Sequence, residues 1–359
     1  MESDYQRTSG NNTKKTAKPN RGLLAIVLLL QLLVSGCASM FQDPNEALIR
    51  EPGNRIYNAP EPVAVTAKSL WEYAVLSENV YSDRRAKKPS DLPAKNGLRS
   101  KPQKPSPEAY SDACTPDSQA PIPLPGWTRW TNVPSLELLK EADDVGLVVE
   151  IWEKSSAPPI IAAVFRGTEW SLRDWITNIR WFIPFHRDQY TLVAEKVGIE
   201  LLQEVKKRLE TDRERYSAVT LVATGHSLGG GLAQHLAYSL PSDRMPDGML
   251  TPRVNPVHVF DPSPVTGWFS VDRNVRETNA KGLRIDRAFE HGEILAYLRL
   301  IMSYINPPTA NDPSIREIRY NFVDSINPLS SHSMRLIACE LVQASGTANI
   351  PDLRRRFQK

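Results

Sequence analysis

A serine stands in a glycine-rich turn within residues 219 to 240, VTLVATGHSLGGGLAQHLAYSL. A serine hydroxyl is a weak nucleophile, so acyl transfer requires that it lie near a base and near N–H groups that stabilise an oxyanion. Gly225 and Gly229 lack Cβ atoms, so a preceding strand and a following helix could approach closely around Ser227. The N–H of Leu228 would then point at the developing negative charge from the start of that helix. The pattern predicts a nucleophile, and the alternative is a glycine-rich turn without catalysis.

A second block, VFRGTEWSLRDWITNI at residues 164 to 179, precedes the serine turn. Together the two blocks resemble the class 3 lipases, the fungal-type lipase family of the α/β-hydrolase fold, and the likeness extends with gaps over residues 65 to 345. In that family the residue after a Phe-Arg-Gly strand end supplies the second oxyanion donor. The resemblance therefore implies that Thr168 and Leu228 form an oxyanion hole. Arg166 of the same block is expected to be a buried ion-pair partner.

The order of the catalytic triad along the chain in this fold is serine, acid, histidine. His332 lies in INPLSSHSM, after the alternating strand pattern of REIRYNF and before the helical pattern of MRLIACELV. A loop after the last strand is where the hydrolase histidine belongs, so His332 is expected to be the base, ahead of His291. The remaining four histidines are expected to pack or to line a pocket: His186, His226, His235 and His258.

Two carboxylates compete for the role of the acid. Glu293, in LRIDRAFEHGEILAYL, falls where the family has an aspartate after its penultimate strand, and a glutamate can also orient an imidazole. Asp261, in VFDPSPVTG, follows the strand after the nucleophile helix, a position that some other lipases of this fold use. The sequence departs from the family pattern at both sites, and Glu293 and Asp261 stay open as alternatives. Asp324 is too close to His332 in the chain to be a good fit.

Strand and helix patterns alternate around these residues. DVGLVVEIWEKSSAPPIIAAVFRGT predicts a hairpin, and YSAVTLVAT and PVHVF predict strands. Helical spacing of apolar residues predicts helices in AKSLWEYAVLSENVYSD, TLVAEKVGIELLQEVKKRLE and LGGGLAQHLAYSL. Alternating strands and helices predict an α/β protein, here an α/β-hydrolase fold with a mostly parallel central sheet flanked by helices.

The amino terminus has the features of an export signal. Five basic residues precede GLLAIVLLLQLLV, thirteen mostly apolar residues that are too few to span a bilayer comfortably. Val34-Ser35-Gly36-Cys37 resembles the lipobox of bacterial lipoproteins, which implies cleavage before Cys37 and its acylation. Ser39 lies at the second position after that cysteine, which favours sorting to the outer membrane of a Gram-negative cell. The alternative is a signal anchor that ends near a cysteine.

The rest of the chain is divided by composition. Residues 1 to 36 are the predicted signal peptide and residues 37 to 63 a polar tether. Residues 64 to 359 are the predicted hydrolase domain, with an irregular, proline-rich insertion at about 84 to 126. Cys114 and Cys339 are the other two cysteines, and after export they could form a disulfide or stay as two thiols.

Charge and motifs exclude several other functions. The chain has 44 basic and 41 acidic residues, and residues 1 to 36 hold five and two of them, which leaves 39 of each in the mature protein. A neutral chain has no basic field for nucleic acid. No zinc-ligand spacing, phosphate-binding loop or dinucleotide motif is present, so neither a metal nor a cofactor is expected.

These inferences predict a membrane-anchored serine hydrolase that cleaves carboxylic esters, with lipid or fatty-acyl esters as substrates. The competing prediction is a lipoprotein that keeps the hydrolase fold as a binding scaffold without catalysis. A peptidase or thioesterase would use the same triad. The apolar stretch WITNIRWFIPF could be a lid over an acyl pocket or part of the core.

Overall fold

The computed structural model describes residues 42–82, 105–167, 189–241, 251–292, 312–323 and 332–357, which contain a nine-stranded sheet with helices packed on it. The strands are β1 (Glu46–Arg50), β2 (Glu61–Pro62), β3 (Trp127–Arg129), β4 (Val149–Lys154), β5 (Ile160–Phe165), β6 (Thr220–His226), β7 (Val254–Phe260), β8 (Arg284–Glu290) and β9 (Ser314–Tyr320).

The helices follow the same chain order. They are α1 (Val63–Ser82), α2 (Pro107–Ala113), α3 (Leu136–Asp144), α4 (Gln189–Leu192), α5 (Gly198–Thr211), α6 (Arg213–Tyr216), α7 (Leu228–Ser239), α8 (Arg273–Ala280), α9 (Met334–Ala344) and α10 (Leu353–Phe357). A π-helical turn at Val193–Val197 joins α4 to α5, and a 3-10 turn lies at Trp268–Ser270. Within the ranges that the structure describes, no helix combines the length and the apolar character needed to cross a membrane.

The sheet is mixed, and the prediction of a mostly parallel sheet is wrong. The strand order is β2-β1-β9-β8-β7-β6-β5-β4-β3, in which β5 to β9 pair in parallel and both edges pair antiparallel. The predicted hairpin is confirmed, since β4 runs antiparallel to β5. The alternation of strands and helices describes the central five strands correctly, but it carries no signal for edge strands that are joined without a helical crossover.

One edge of the sheet comes from residues that were expected to be an irregular tether. Residues 46–50 form β1, which pairs with β9, and Ala47 and Ile49 of that strand are buried. The compact unit that contains the sheet begins at Asp43. The polar composition around this segment hid a short strand whose alternate side chains face the core. The folded unit therefore starts about twenty residues before the predicted boundary at residue 64.

Apolar residues on alternate positions of the central strands fill two cores, one on each face of the sheet. On one face, Val164, Val222 and Phe260 pack against α1 and α9. On the other face, Ala163 and Ala223 pack against α5 and α7. Helices therefore cover both faces of the parallel strands, and the carboxyl ends of those strands lie together at one end of the sheet.

A disulfide joins Cys114, which caps α2, to Cys339 in α9, across 225 residues of sequence. Both cysteines are fully buried. The bond connects the described part of the predicted insertion to the helix that follows His332. The sequence left open whether the two cysteines form a disulfide or remain thiols, and the structure has the disulfide.

Replacing Cys114 and Cys339 together with alanine is expected to lower the free energy of unfolding by about 2–4 kcal/mol, because the cross-link restricts a long loop of the unfolded chain. Urea unfolding of the oxidised wild type and of the double variant measures the difference. Reducing agent should destabilise the wild type to a similar extent and leave the double variant unchanged. Equal stability of the two proteins under oxidising conditions would contradict the prediction.

Candidate active site

The predicted site residues that the structure describes gather at one end of the sheet, where the parallel strands have their carboxyl termini. The parallel strands β5 to β9 have their carboxyl ends together, and a polar residue follows directly after each of them. Arg166 follows β5, Ser227 follows β6, and Asp261 follows β7. In open α/β sheets the carboxyl edge of the parallel strands is where ligand sites form. The fold therefore brings together residues that lie far apart in the chain.

Ser227 occupies a strained turn between β6 and α7. Its φ and ψ are 56° and −124°, a combination that non-glycine residues rarely adopt. Its N–H donates to the carbonyl of Phe260 at 3.0 Å, and its own carbonyl accepts from the N–H of Ser263 at 2.9 Å. These bonds hold the turn in its strained form. Leu228 is the first residue of α7, so its N–H lies at the amino terminus of a helix.

The glycines on either side of Ser227 are required by close packing. A Cβ on Gly225 would lie 2.5 Å from the carbonyl oxygen of Gly229, and a Cβ on Gly229 would lie 2.3 Å from the carbonyl oxygen of Phe165. Strand β6, helix α7 and the end of β5 therefore meet at van der Waals distance. This packing is the structural reason for the Gly-x-Ser-x-Gly spacing.

The end of β5 lies against the serine turn. A Cβ on Gly167 would lie 3.0 Å from the Cβ of Ser227 and 2.7 Å from the carbonyl oxygen of His226. The next residue in the chain, Thr168, is the predicted second oxyanion donor, and it lies outside the described residues. Arg166 is buried, as predicted, with 4 % of its surface exposed.

Asp261 is fully buried and faces two histidines. Its Oδ2 lies 3.7 Å from Nδ1 of His332 and 3.8 Å from Nε2 of His226. Its Oδ1 accepts a hydrogen bond from the N–H of Glu290 at 2.9 Å, which fixes the carboxylate plane. With Ser227 and Asp352, it is one of three non-glycine residues with positive φ in the described part of the chain. The contact with His332 is longer than a hydrogen bond, a common condition for catalytic groups without substrate.

His332 is positioned by the start of α9. Ser333 caps that helix by accepting from the N–H of Leu336 at 3.3 Å. Arg335 forms a buried ion pair with Glu78 of α1, at 2.6 Å between Nη2 and Oε1. The disulfide at Cys339 anchors the same helix. Three independent contacts therefore set the position from which His332 reaches the carboxyl edge.

His226 was expected to pack or to line a pocket, and the structure places it inside the candidate site. Its ring lies 4.6 Å from the ring of His332, and its Nδ1 lies 3.0 Å from the hydroxyl oxygen of Tyr81. The same tyrosine oxygen accepts the N–H of Gly167 at 3.0 Å. Tyr81 therefore connects the end of β5 to the histidine beside Ser227. Sequence reasoning missed Tyr81, since its only signal was the last turn of a predicted helix.

A second buried carboxyl, Glu290 at the end of β8, lies beside Asp261 and was also missed. Burial raises the pKa of Glu290 well above its usual range, and the nearby charge of Asp261 raises that pKa further. Hydrogen bonds from the backbone of Val323 and Phe322 oppose these effects in part. The raised pKa keeps the proton on Glu290 to a higher pH than on an exposed glutamate, which limits the negative charge next to Asp261. The acidic residue nearest to the end of β8 is thus Glu290, three residues before the predicted Glu293.

Because the pKa of Glu290 is higher in the folded than in the unfolded chain, the folded chain binds more protons above about pH 4.5. The contribution of this group to stability is therefore full at lower pH and is lost as the pH rises from there. Replacing Glu290 with glutamine removes the titration and should raise Tm at pH 8 by roughly 2–4 °C or more. Thermal unfolding at pH 4, 6 and 8 measures the effect. The prediction fails if Glu290→Gln and the wild type lose stability in parallel between pH 4 and pH 8.

The other predicted residues have different positions. His258 lies within β7, where its Nδ1 is 2.9 Å from Oδ2 of Asp286, and His235 is buried in α7. His291 follows Glu290, and burial with the charge of Arg319 lowers its pKa to about 4. Besides Thr168 and the predicted signal peptide, further predictions fall outside the described residues: Glu293, Cys37, Asp324, His186 and the lid or core stretch WITNIRWFIPF.

One protein-family model matches part of the chain. Residues 72–242, just under half of the chain, match the family model of a Tle-like phospholipase domain, and this range contains both the β5 end and the serine turn. The match supports a lipase-like fold. No curated protein sequence is significantly similar to the chain.

Two solved lipase structures match the chain at low sequence identity and low TM-score. The native propeptide complex of Rhizomucor miehei lipase is 16% identical, with a TM-score of 0.34 over 72% of this chain and 70% of that one. A fungal lipase–inhibitor complex is 17% identical, with a TM-score of 0.33 over 69% of this chain and 78% of that one.

Proposed function

We propose that the protein is a membrane-anchored serine hydrolase that cleaves the carboxylic esters of lipids. One observation carries the proposal: a serine in a strained, glycine-packed turn stands at the same sheet edge as a buried aspartate 3.7 Å from a histidine. Strain of this kind is costly and persists where the surrounding structure enforces it, which is typical of nucleophilic serines. The match to a phospholipase family model supports the same class of reaction.

In the proposed reaction, Oγ of Ser227 attacks the ester carbonyl and Nε2 of His332 accepts the serine proton. Collapse of the tetrahedral intermediate breaks the ester bond, and the same proton passes to the alcohol that leaves. Water then attacks the acyl-enzyme, His332 again accepts a proton, and the fatty acid departs as Ser227 regains its hydrogen. Asp261, facing Nδ1 of His332, stabilises the imidazolium that forms in each step.

The oxyanion hole of the proposal uses the N–H of Leu228 and the N–H of Thr168. Leu228 suits this role because it is the first residue of α7, where the helix dipole favours negative charge. Thr168 is supported through its neighbour, because Gly167 is packed against Ser227. The N–H of Leu228 lies on the backbone of α7, so its orientation costs little when charge develops.

Asp261 is the acid of this proposal in preference to Glu293. It is fully buried, its Oδ1 is held by the N–H of Glu290, and its Oδ2 faces His332. A carboxylate held in this way can fix the orientation of an imidazole at little entropic cost. The geometry of Glu293 lies outside the described residues, so the preference is based on what surrounds Asp261.

Phospholipids are the proposed substrates, because the matched family model is that of a phospholipase domain and a lipid anchor would hold the enzyme at a bilayer. Fatty-acid release from phospholipid vesicles, from a triglyceride emulsion and from a short soluble ester tests this choice. The proposal expects the fastest turnover with phospholipid. Turnover of the short ester alone would remove the lipid part of the proposal, and no turnover with a folded protein would favour the scaffold alternative.

Anchoring through Cys37 at the outer membrane is part of the proposal, with residues 1–36 removed on export. Replacing Cys37 with serine is expected to abolish incorporation of labelled palmitate and to leave a precursor of higher mass, because no thiol remains for acylation. Metabolic labelling and mass spectrometry of the intact protein measure both effects. Serine at Cys114 is the matched control and should leave acylation unchanged. Acylation that persists in Cys37→Ser would exclude a lipoprotein anchored at this residue.

A further inference from the structure

Three side chains of types that bind metals lie close together in the candidate active site: His226, Asp261 and His332. We propose that His226, Asp261 and His332 form a binding site for Zn²⁺, and that an ion bound there inhibits hydrolysis. One ligand atom from each residue lies within 4.8 Å of the other two. Two imidazoles and one carboxylate form a donor set that suits Zn²⁺ among common divalent ions.

The spacing of the donor atoms is close to what a zinc ion requires. Zn–N and Zn–O bonds of about 2.0–2.2 Å place tetrahedral ligands about 3.4 Å apart. Oδ2 of Asp261 is 3.7 Å from Nδ1 of His332 and 3.8 Å from Nε2 of His226. The carboxylate oxygen is therefore within a few tenths of an ångström of the required distance from each histidine nitrogen, and the two histidines offer ligand atoms within 4.8 Å of each other. Small side-chain movements toward a common centre would complete the three bonds and leave a fourth position for water.

The residues around the cluster hold its ligands in place. The hydroxyl oxygen of Tyr81 lies 3.0 Å from Nδ1 of His226 and can accept a hydrogen bond from Nδ1–H, a tautomer that leaves Nε2 of that ring as the metal donor. Oδ1 of Asp261 is engaged by the N–H of Glu290, so Oδ2 is the oxygen turned toward both histidines. Ligands that are oriented by a second layer of hydrogen bonds lose less entropy when an ion binds.

Inhibition follows from which atoms the ion would occupy. A zinc ion bound to Nδ1 of His332 and Oδ2 of Asp261 replaces their direct interaction with two metal bonds. A neutral imidazole that binds zinc through Nδ1 carries its proton on Nε2, so His332 could no longer accept the proton of Ser227 at that nitrogen. Binding itself does not depend on the proposed hydrolysis, whereas inhibition rests on it.

Sequence spacing could not reveal this site. The three ligands belong to different structural elements. His226 ends β6, Asp261 follows β7, and His332 lies just before α9. Zinc patterns that are readable from sequence place pairs of ligands a few residues apart. Here 35 and 71 residues separate successive ligands, as their numbers in the chain show.

Binding is tested on the purified, untagged full-length chain carrying Ser227→Ala, which removes turnover and keeps all three ligands. Titration calorimetry with ZnCl₂ should show one saturable site, and Co²⁺ should give visible absorption that Zn²⁺ abolishes. His226→Gln and Asp261→Asn, each in the same background and shown to be folded by circular dichroism, should weaken Zn²⁺ at least tenfold. His291→Gln, outside the cluster, is the matched control and should leave the affinity unchanged. No saturable site, or equal affinity in His226→Gln, would overturn the proposal.

Inhibition is tested separately on the protein with Ser227 intact. Zn²⁺ should suppress fatty-acid release, EDTA should restore it, and His226→Gln should raise the inhibitory concentration at least tenfold relative to its own zinc-free rate. Zinc binding by a chain that hydrolyses no ester would refute the proposed function and leave the metal site intact. Hydrolysis that saturating Zn²⁺ does not affect would refute the inhibitory site and leave the proposed function intact.

Discussion

Replacing Ser227 with alanine is expected to lower kcat for ester hydrolysis by about 10⁴–10⁶-fold, because the proposed acyl-enzyme forms on the Oγ atom that the substitution removes. Covalent labelling by a fluorophosphonate probe should be lost together with turnover. The turn should keep its form, since its hydrogen bonds come from the backbone of residue 227 and its packing from Gly225 and Gly229. Rates with a soluble ester and labelling detected by mass spectrometry measure the two effects.

Ser239 offers a matched control for this experiment. It lies at the end of α7, the helix that Ser227 precedes, and its hydroxyl donates to the carbonyl of His235. Ser239→Ala should leave both the rate and the labelling within about twofold of the wild type, as expected for a substitution away from the reacting groups. Labelling that survives in Ser227→Ala would contradict the proposed nucleophile, and absence of labelling in the folded wild type would favour a binding scaffold.

Replacing Asp261 with asparagine is expected to lower kcat by about 10³–10⁴-fold, because an amide cannot stabilise the imidazolium of His332 and favours the wrong tautomer. The side-chain oxygen of asparagine can still accept the N–H of Glu290, so the local fold should survive. Steady-state rates with a soluble ester measure the loss, and circular dichroism shows that the variant is folded.

Glu293→Gln is the matched comparison, since it removes the other carboxylate that the sequence proposed. If Asp261 is the acid, Glu293→Gln should retain kcat within about twofold. The reverse result, with a large loss in Glu293→Gln and a small one in Asp261→Asn, would assign the acid to Glu293. Large losses in both variants would contradict a single acid.

Local sequence patterns were enough to predict part of this structure. The glycine spacing around Ser227, the strand before it and the helix after it are read from neighbouring residues, and the structure has all three. The hairpin of β4 and β5 and the alternation of the central elements were predicted in the same way. These features depend on periodicity and on backbone freedom, which are properties of short segments.

Contacts between residues that are far apart in the chain became visible only in the tertiary structure. It placed Asp261 beside His332, brought His226 and Tyr81 into the site, buried Glu290 next to Asp261, joined Cys114 to Cys339, and added β1 to the edge of the sheet. Each of these contacts joins residues that lie more than two turns of helix apart in the chain, so no local period encodes it. By itself the sequence determined where a nucleophile could stand, and only the packing of strands from the whole chain determined which groups surround it.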